Sequence, residues 1–439
     1  MSINFEKYEN ILNQIHLTKD SGKVTEVTGL IIKGFIPGVS VGSICEIQTS
    51  IAAKPILAEV VGFKDRQVLM MSLAGMRGIS MGSKVTLSKP IATVRVSEEL
   101  LGRVVDGLGQ PLDSGPEIEI SNEISMYREI INPLNRVPIR EALDVGVRAI
   151  NAAITTGRGQ RVAILAGSGV GKSVLMGMMA KQTDADINVI ALIGERGREV
   201  REFIENELGT EGMKKTVVVC VTSDQSPLLR MRGAFVATAI AEYFAHRGKK
   251  VLLVMDSVTR FAMAMREIGL SIGEPPSSKG YTPSVFSTLP KLLERAGNFE
   301  NSGSITGFYT TLVESDDMND PIGDAVRSIV DGHIVLTRSM AHKGHFPAID
   351  ILQSASRVMK AVASPEHLRM AQKMREIIAT YNDAEDLINV GAYKAGANPK
   401  IDRAIKLIEP INEFLKQKTE DHSSMNQCLR TLSQILINA

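Results

Sequence analysis

Predominantly apolar runs recur through the middle of the chain, at 161–165, 187–193, 216–221, 251–255, 305–312 and 333–336. Between them the apolar positions take a helical spacing of three and four residues. Runs with so little polar alternation belong to strands covered on both faces, as in a parallel sheet flanked by helices. The pattern predicts an α/β layer from about 140 to 360. From 22 to 91 the texture differs: short β-rich runs at 24–28, 44–48, 57–61, 68–71 and 84–87 are split by glycine turns. Such runs predict a small β-barrel or sandwich. A stretch rich in turn residues follows, with Gly109, Pro111, Gly115, Pro133 and Pro138. From 364 the pattern is helical. Ser364 offers an N-cap with Pro365 at the first helical position, and Ser424 opens a last helix with Met425, Leu429, Leu432 and Leu436 on one face. Near the start, Phe5, Tyr8, Ile11, Leu12 and Ile15 form one stripe of a short amphipathic helix. That helix either lies on its own domain or docks a partner. The expected segments are 1–21, 22–91, 92–363 and 364–439.

The 439 residues suffice for two or three domains with a large core. A net charge of +1 supplies no global field toward nucleic acid or an anionic membrane. Cys45, Cys220 and Cys428 are scattered and form no C-x-x-C pair, which fits a reducing cytoplasm and argues against a disulfide framework or a zinc site. The first residues carry charge and no apolar core of a signal peptide, and no apolar run approaches the ~18 residues of a membrane span. Peripheral membrane contact stays open.

The chemistry concentrates at strand ends. Ala166-Gly-Ser-Gly-Val-Gly-Lys-Ser173 joins the run 161–165 to a helical segment beginning at Val174. This is a P-loop pattern, with Ala166 in place of the strict motif's glycine. Gly167, Gly169 and Gly171 let the backbone curl around Ser168 and Val170 and aim successive N–H groups inward. Those groups and the helix N-terminus make a socket for phosphate oxygens. Lys172 adds charge at the β- and γ-phosphates, and the Ser173 hydroxyl is a candidate Mg²⁺ ligand. Asp256, ending the run 251–255, is placed to steady the metal shell. Glu195 follows the run 187–193, where a carboxylate can polarise an attacking water. Arg196 is a candidate for neutralising the transferring phosphoryl group, and Glu199 for the metal shell. The same residues also fit a surface array of ion pairs: Glu195 with Arg198, Arg198 with Glu202, Arg201 with Glu205. The placement at a strand end favours chemistry.

Together the P-loop, Gly194–Glu199 and Met255–Arg260 resemble the catalytic subunits of rotary ATPases. Gly273–Phe286, Asp316–Ile322 and Asp331–Leu336 resemble the ATPases of bacterial type III export systems, and Leu387–Tyr393 resembles the flagellar members. The resemblance runs from about 22 to 420 and is strongest from 139 to 395. It implies an α/β fold with a RecA-like P-loop core, an N-terminal β-barrel and a C-terminal helical domain. It implies ATP with Mg²⁺, and an adenine site in which Phe346 stands where Tyr is often found, with Val174 lining the adenine side. It also implies that Arg357, in Ser354-Ala-Ser-Arg357, acts as an arginine finger on the neighbouring subunit, and that Arg260 positions the catalytic face. A finger in trans requires a ring, expected as a homohexamer. The implied partners are a stator-like export regulator at the N-terminus, a central stalk-like protein, the export gate, and export substrates with their chaperones. The implied location is cytoplasmic, peripheral at the inner face of the cell membrane.

Four other functions share parts of this pattern. An injectisome ATPase would be the same machine serving a different organelle, with Leu387–Tyr393 favouring the flagellar one; an ATP synthase catalytic subunit would keep the active site, although Gly273–Phe286 and Asp316–Ile322 look export-like. An RNA translocase needs stacked aromatics and basic residues, whereas 22–91 holds only Phe35 and Phe63 as aromatics, so no nucleic-acid partner is expected. A non-catalytic ring subunit typically lacks the glutamate present here as Glu195.

Overall fold

The computed structural model describes residues 21–50, 54–119, 122–129, 132–300, 302–313 and 320–437 of the chain. The apolar stripe from Phe5 to Ile15 lies outside the described residues, as do residues 316–319 of the export-like segment.

Six strands close into a barrel: β1 (Ser21–Thr28), β2 (Ile31–Phe35), β3 (Ile44–Ile47), β4 (Ile56–Lys64), β5 (Gln67–Ser72) and β6 (Lys84–Lys89). Their order is β1-β2-β5-β4-β3-β6, every pair antiparallel. Closure leaves no unpaired sheet edge. Val24, Ile32, Ile47, Val60, Met70 and Val85 fill the interior. The apolar runs mark every strand but β2, which is short and broken by Lys33 and Gly34. Gly34 serves a close approach: a Cβ there would stand 2.8 Å from the Lys23 carbonyl oxygen on β1. The described residues up to Thr93 form one compact unit together with Glu267–Pro275.

The second unit comprises Val94–Arg266 and the described residues from Pro276 onward. Its main sheet runs in the order Ile349–Ser356, Gly332–Leu336, Arg161–Ala166, Ser304–Leu312, Lys250–Asp256, Ile187–Glu195, Thr216–Thr222 and Val104–Val105. All neighbours on this path are parallel except Ile349–Ser356, which runs antiparallel to Gly332–Leu336. Ile187–Gly194 is buried throughout, as expected of a strand covered on both faces. The six apolar runs of the middle region are thus all strands of one sheet, and their carboxyl ends share one edge. That edge is where an open α/β sheet places ligands.

The C-terminal helices are Pro365–Asn389, Pro399–Leu415 and Met425–Ile437. The Ser364 hydroxyl accepts the His367 N–H at 3.2 Å, and Pro365 opens the helix. Met374, Leu407, Ile411, Cys428 and Leu432 join the same hydrophobic cluster as Ile164 and Leu192 of the sheet. The helices therefore share a core with the sheet. In the last helix the buried stripe is Cys428, Leu432 and Leu436, while Met425 and Leu429 are half-buried. The stripe is turned from the one expected because Cys428 takes the innermost position. The three cysteines are free and buried. Among the described residues no helix is long and apolar enough to cross a membrane.

Candidate active site

Strand Arg161–Ala166 ends at a buried Ala166, and the chain turns through 167–171 into helix Lys172–Gln182. Gly169 and Gly171 have φ of +78° and +83°, a region that glycine enters without steric cost. Gly167 is buried, Ser168 and Gly169 face solvent, and Val170 inserts into the core and pins the turn. The Ala166 methyl is accommodated at the strand's end, where its carbonyl accepts the Val313 N–H at 3.0 Å. Ser173 is exposed in the first turn of the helix.

Asp256 closes strand Lys250–Asp256 and is only 3% exposed. Its Oδ1 accepts from Lys172 Nζ at 2.5 Å and from Thr310 Oγ1 at 2.6 Å. The P-loop lysine is thus held against the strand-end carboxylate. Thr310 escaped the sequence reading. The signal was a pair of threonines, Thr310 and Thr311, near the end of a largely apolar run, and the register Met255 to Tyr309 sets that pair beside Asp256.

Glu195 ends the next strand, in which Leu192 is in register with Asp256. Burial first, then the Asp256 charge, pushes its carboxyl up to about 7, with a hydrogen bond to Glu199 acting the same way and Lys172 and Arg260 opposing. Its Oε1 is buried with no hydrogen-bond partner, an acceptor aimed at something the chain does not itself provide. Gly194, at φ +74°, lets the strand end pass Arg260: a Cβ there would stand 2.9 Å from Arg260 Cβ. Arg260 lies in the first turn of helix Val258–Ser271, its Nε also buried and without a hydrogen-bond partner.

The segment after Glu195 divides. Arg196 is 80% exposed and pairs with Glu199 at 3.4 Å. Arg198 pairs with Glu202 at 3.6 Å and Arg201 with Glu205 at 2.7 Å. The surface array foreseen as the alternative exists, but Glu195 is not part of it. The structure brings Glu195, Lys172 and Asp256 together and leaves Arg196 on the solvent side.

Phe346 is 45% exposed and lines a cavity of 780 Å³ with Gly171 and Val174. Its ring would lie 3.6 Å from a Cβ placed on Gly171. A core aromatic would not be so open. A wall of this cavity is the segment 416–421, which no feature of the sequence marks.

Arg357 is exposed and far from this constellation. It follows strand Ile349–Ser356, whose first residue faces Leu336 and whose last faces Gly332. Leu336 is itself in register with Ala166, where the P-loop begins. The partner strand covers the same span, from Leu336 back to Gly332, in four steps of about 3.3 Å, so the chain travels about 13 Å to the opposite edge of the sheet and an irregular register takes up the extra residues. Arg357 and the P-loop of its own chain thus lie at opposite ends of these strands.

Comparison with known proteins agrees with this arrangement. The ATP synthase alpha/beta family matches with its beta-barrel domain over residues 24–88 and its nucleotide-binding domain over 146–356. The C-terminal domain of the type III secretion ATPase EscN matches residues 363–434. A flagellum-specific ATP synthase of Bacillus subtilis is 50% identical, covering 98% of this chain and 99% of the relative. A type 3 secretion system ATPase of Xanthomonas euvesicatoria is 47% identical, covering 95% and 94%. Among solved structures, assembled EscN from enteropathogenic E. coli superposes with a TM-score of 0.89 at 48% identity, covering 94% of this chain and 100% of that one. EscN in complex with its central stalk EscO gives 0.88 at 46% identity, with the same coverage.

Proposed function

The chain belongs to the ATP synthase alpha/beta family, in its flagellum-specific and type III secretion branch, and from that premise we propose a site-by-site account of how this ATPase works and where. The observation that carries the account is the gathering of Lys172, at the end of the P-loop, with Asp256 and Glu195, which end adjacent strands. The loop amides and Lys172 bind the triphosphate, Lys172 leaving Asp256 for the phosphate oxygens. Phe346 and Val174 hold the adenine, the ring offering a stacking face.

Among the described residues no three His, Cys, Asp or Glu side chains gather as a metal cage. Mg²⁺ bound with ATP needs none, since one or two protein oxygens complete a shell of phosphates and waters. Ser173 and Asp256, with Glu199 through a water, supply that donor set, and the orphaned Glu195 Oε1 fits an active site that expects further donors. When bound, Mg²⁺ neutralises phosphate charge. Glu195, with a proton affinity near neutrality, accepts the proton of the water that attacks the γ-phosphorus, and ADP leaves with the electron pair of the broken bond. Arg357 of one subunit meets the phosphates held by the next, an assignment that its distance from its own P-loop supports. Glu195→Gln is expected to keep ATP affinity within about twofold and lower kcat by about 10²–10⁴. Loss of both binding and turnover in a folded variant would assign Glu195 to substrate binding instead.

We further propose the flagellar export apparatus as the setting, on the strength of Leu387–Tyr393. In a homohexamer, Leu387 and Val390, 52% and 75% exposed, offer apolar contact to a central stalk protein. The stripe Phe5–Ile15 suits a stator-like regulator, and these partners, with the export gate, substrates and chaperones, hold the ring at the inner face of the membrane. Restoration of motility in a flagellar-ATPase deletion strain is the expected result. Restoration only of needle-type secretion would move the chain to the injectisome.

A further inference from the structure

The segment Lys416–Asp421 links helix Pro399–Leu415 to helix Met425–Ile437 along one wall of the 780 Å³ cavity. Lys-Gln-Lys-Thr-Glu-Asp reads as an exposed polar loop, but Gln417 is only 6% exposed. Its backbone N–H donates to the Phe346 carbonyl at 2.9 Å. Its Nε2 donates to the Gly146 and Asp421 carbonyls, both at 2.8 Å, and its Oε1 accepts the Arg148 N–H at 2.8 Å. The anchors on either side are also fixed. The Arg148 guanidinium donates to the Phe414 and Lys416 carbonyls and pairs with Asp421 at 3.3 Å. Gln182, the last residue of the P-loop helix, donates to the Thr419 and Asp421 carbonyls. The buried Gln417 side chain thus ties the corner before the P-loop strand to the loop 416–421, and so holds in place the main-chain N–H that bonds the carbonyl of the exposed aromatic.

We propose that Gln417 is the positioning residue for base recognition, fixing the Phe346 ring and the loop 416–421 as two walls of the slot that receives the adenine. This rests on the reading of Phe346 as the base-facing aromatic. A ring on a mobile backbone gains less from stacking, because its ordering is charged against each binding event. Gln417 removes that cost before the nucleotide arrives. The triphosphate is held elsewhere, by the loop amides and Lys172, so Gln417 affects the base and not the phosphates.

The test compares affinities for Mg²⁺-ATP and for Mg²⁺ with inorganic tripolyphosphate, which lacks the base, by calorimetry on the full chain. Gln417→Met keeps the volume and removes the side-chain hydrogen bonds. It is expected to weaken ATP about tenfold and leave tripolyphosphate unchanged. Gln417→Glu, which keeps the Oε1 acceptor but loses both Nε2 donations, is expected to give the same selective loss and serves if the methionine variant does not fold. Phe346→Ala is expected to be selective in the same way, and Gln417→Met added to it to cost less than it does alone, since part of its effect runs through the ring already removed. Equal weakening of both ligands by the Gln417 variants, no weakening, or additive losses in the double variant would overturn the inference. If Phe346→Ala itself spares ATP affinity, the base-pocket reading falls and the inference with it. If Phe346→Ala is selective and the Gln417 variants are not, the inference alone falls.

Discussion

Glu195 is tuned at the expense of stability. Its carboxyl is raised from the ordinary carboxylate range to about 7 by burial and by Asp256. Between those values the folded chain holds a proton that the unfolded chain has released, so stability falls as pH rises through this window. Above about 7 both states are ionised and the full penalty remains. Glu195→Gln removes the ionisation. In thermal unfolding without nucleotide, the variant is expected to be more stable than the parent at pH 8, with the difference fading as pH falls toward 5. A difference independent of pH would show that Glu195 ionises normally. With Glu195 as the proposed base, the same proton affinity predicts that kcat/KM of the parent declines as pH drops below about 7, where the nucleotide-free site becomes protonated. Thr310 acts on the other carboxylate, keeping a donor on Asp256 Oδ1 if Lys172 turns to the phosphates.

Among the elements, the buried parallel strands were readable because both faces are covered and the residues are therefore apolar, as in Ile187–Gly194. Strand Ile349–Ser356 was not. It is the antiparallel edge, and Gln353, Ser354 and Ser356 interrupt its apolar positions. Candidate residues at strand ends, Asp256 and Glu195, were legible from position alone. Arg196 lay one residue further on, and a one-residue step from the strand end turned its side chain to solvent. The loop 416–421 could not be read, because side-chain bonds to distant carbonyls fix its shape and local sequence does not encode them. Tertiary wiring of this kind also joins helix Pro227–His246 to the residues after helix Pro283–Leu293. There Arg295 and Glu242, 1% and 8% exposed, pair at 2.7 Å, and Arg295 also donates to the Met126 carbonyl. Arg295→Met strands a buried carboxylate and is expected to cost about 3–5 kcal/mol in denaturant unfolding. Adding Glu242→Leu should recover most of that loss. A single variant as stable as the parent would show the pair to be dispensable.

For the whole molecule, the proposed role of Arg357 makes the site one that a single chain does not complete. The P-loop, Asp256 and Glu195 occupy one edge of the sheet, and Arg357 the other. On that proposal, a closed ring of identical subunits would set the second edge of each chain against the first edge of its neighbour, a heterologous contact that repeats around the axis. Each subunit then supplies one half of two different sites. The most direct measurement mixes subunits carrying Lys172→Ala with subunits carrying Arg357→Ala, each inactive alone. By random assembly in a closed ring, about one quarter of interfaces join an intact P-loop to an intact finger. ATPase activity recovered in mixed hexamers, up to about that fraction of the parent's, is the predicted result. No recovery in hexamers shown by native mass spectrometry to contain both variants would contradict the shared site.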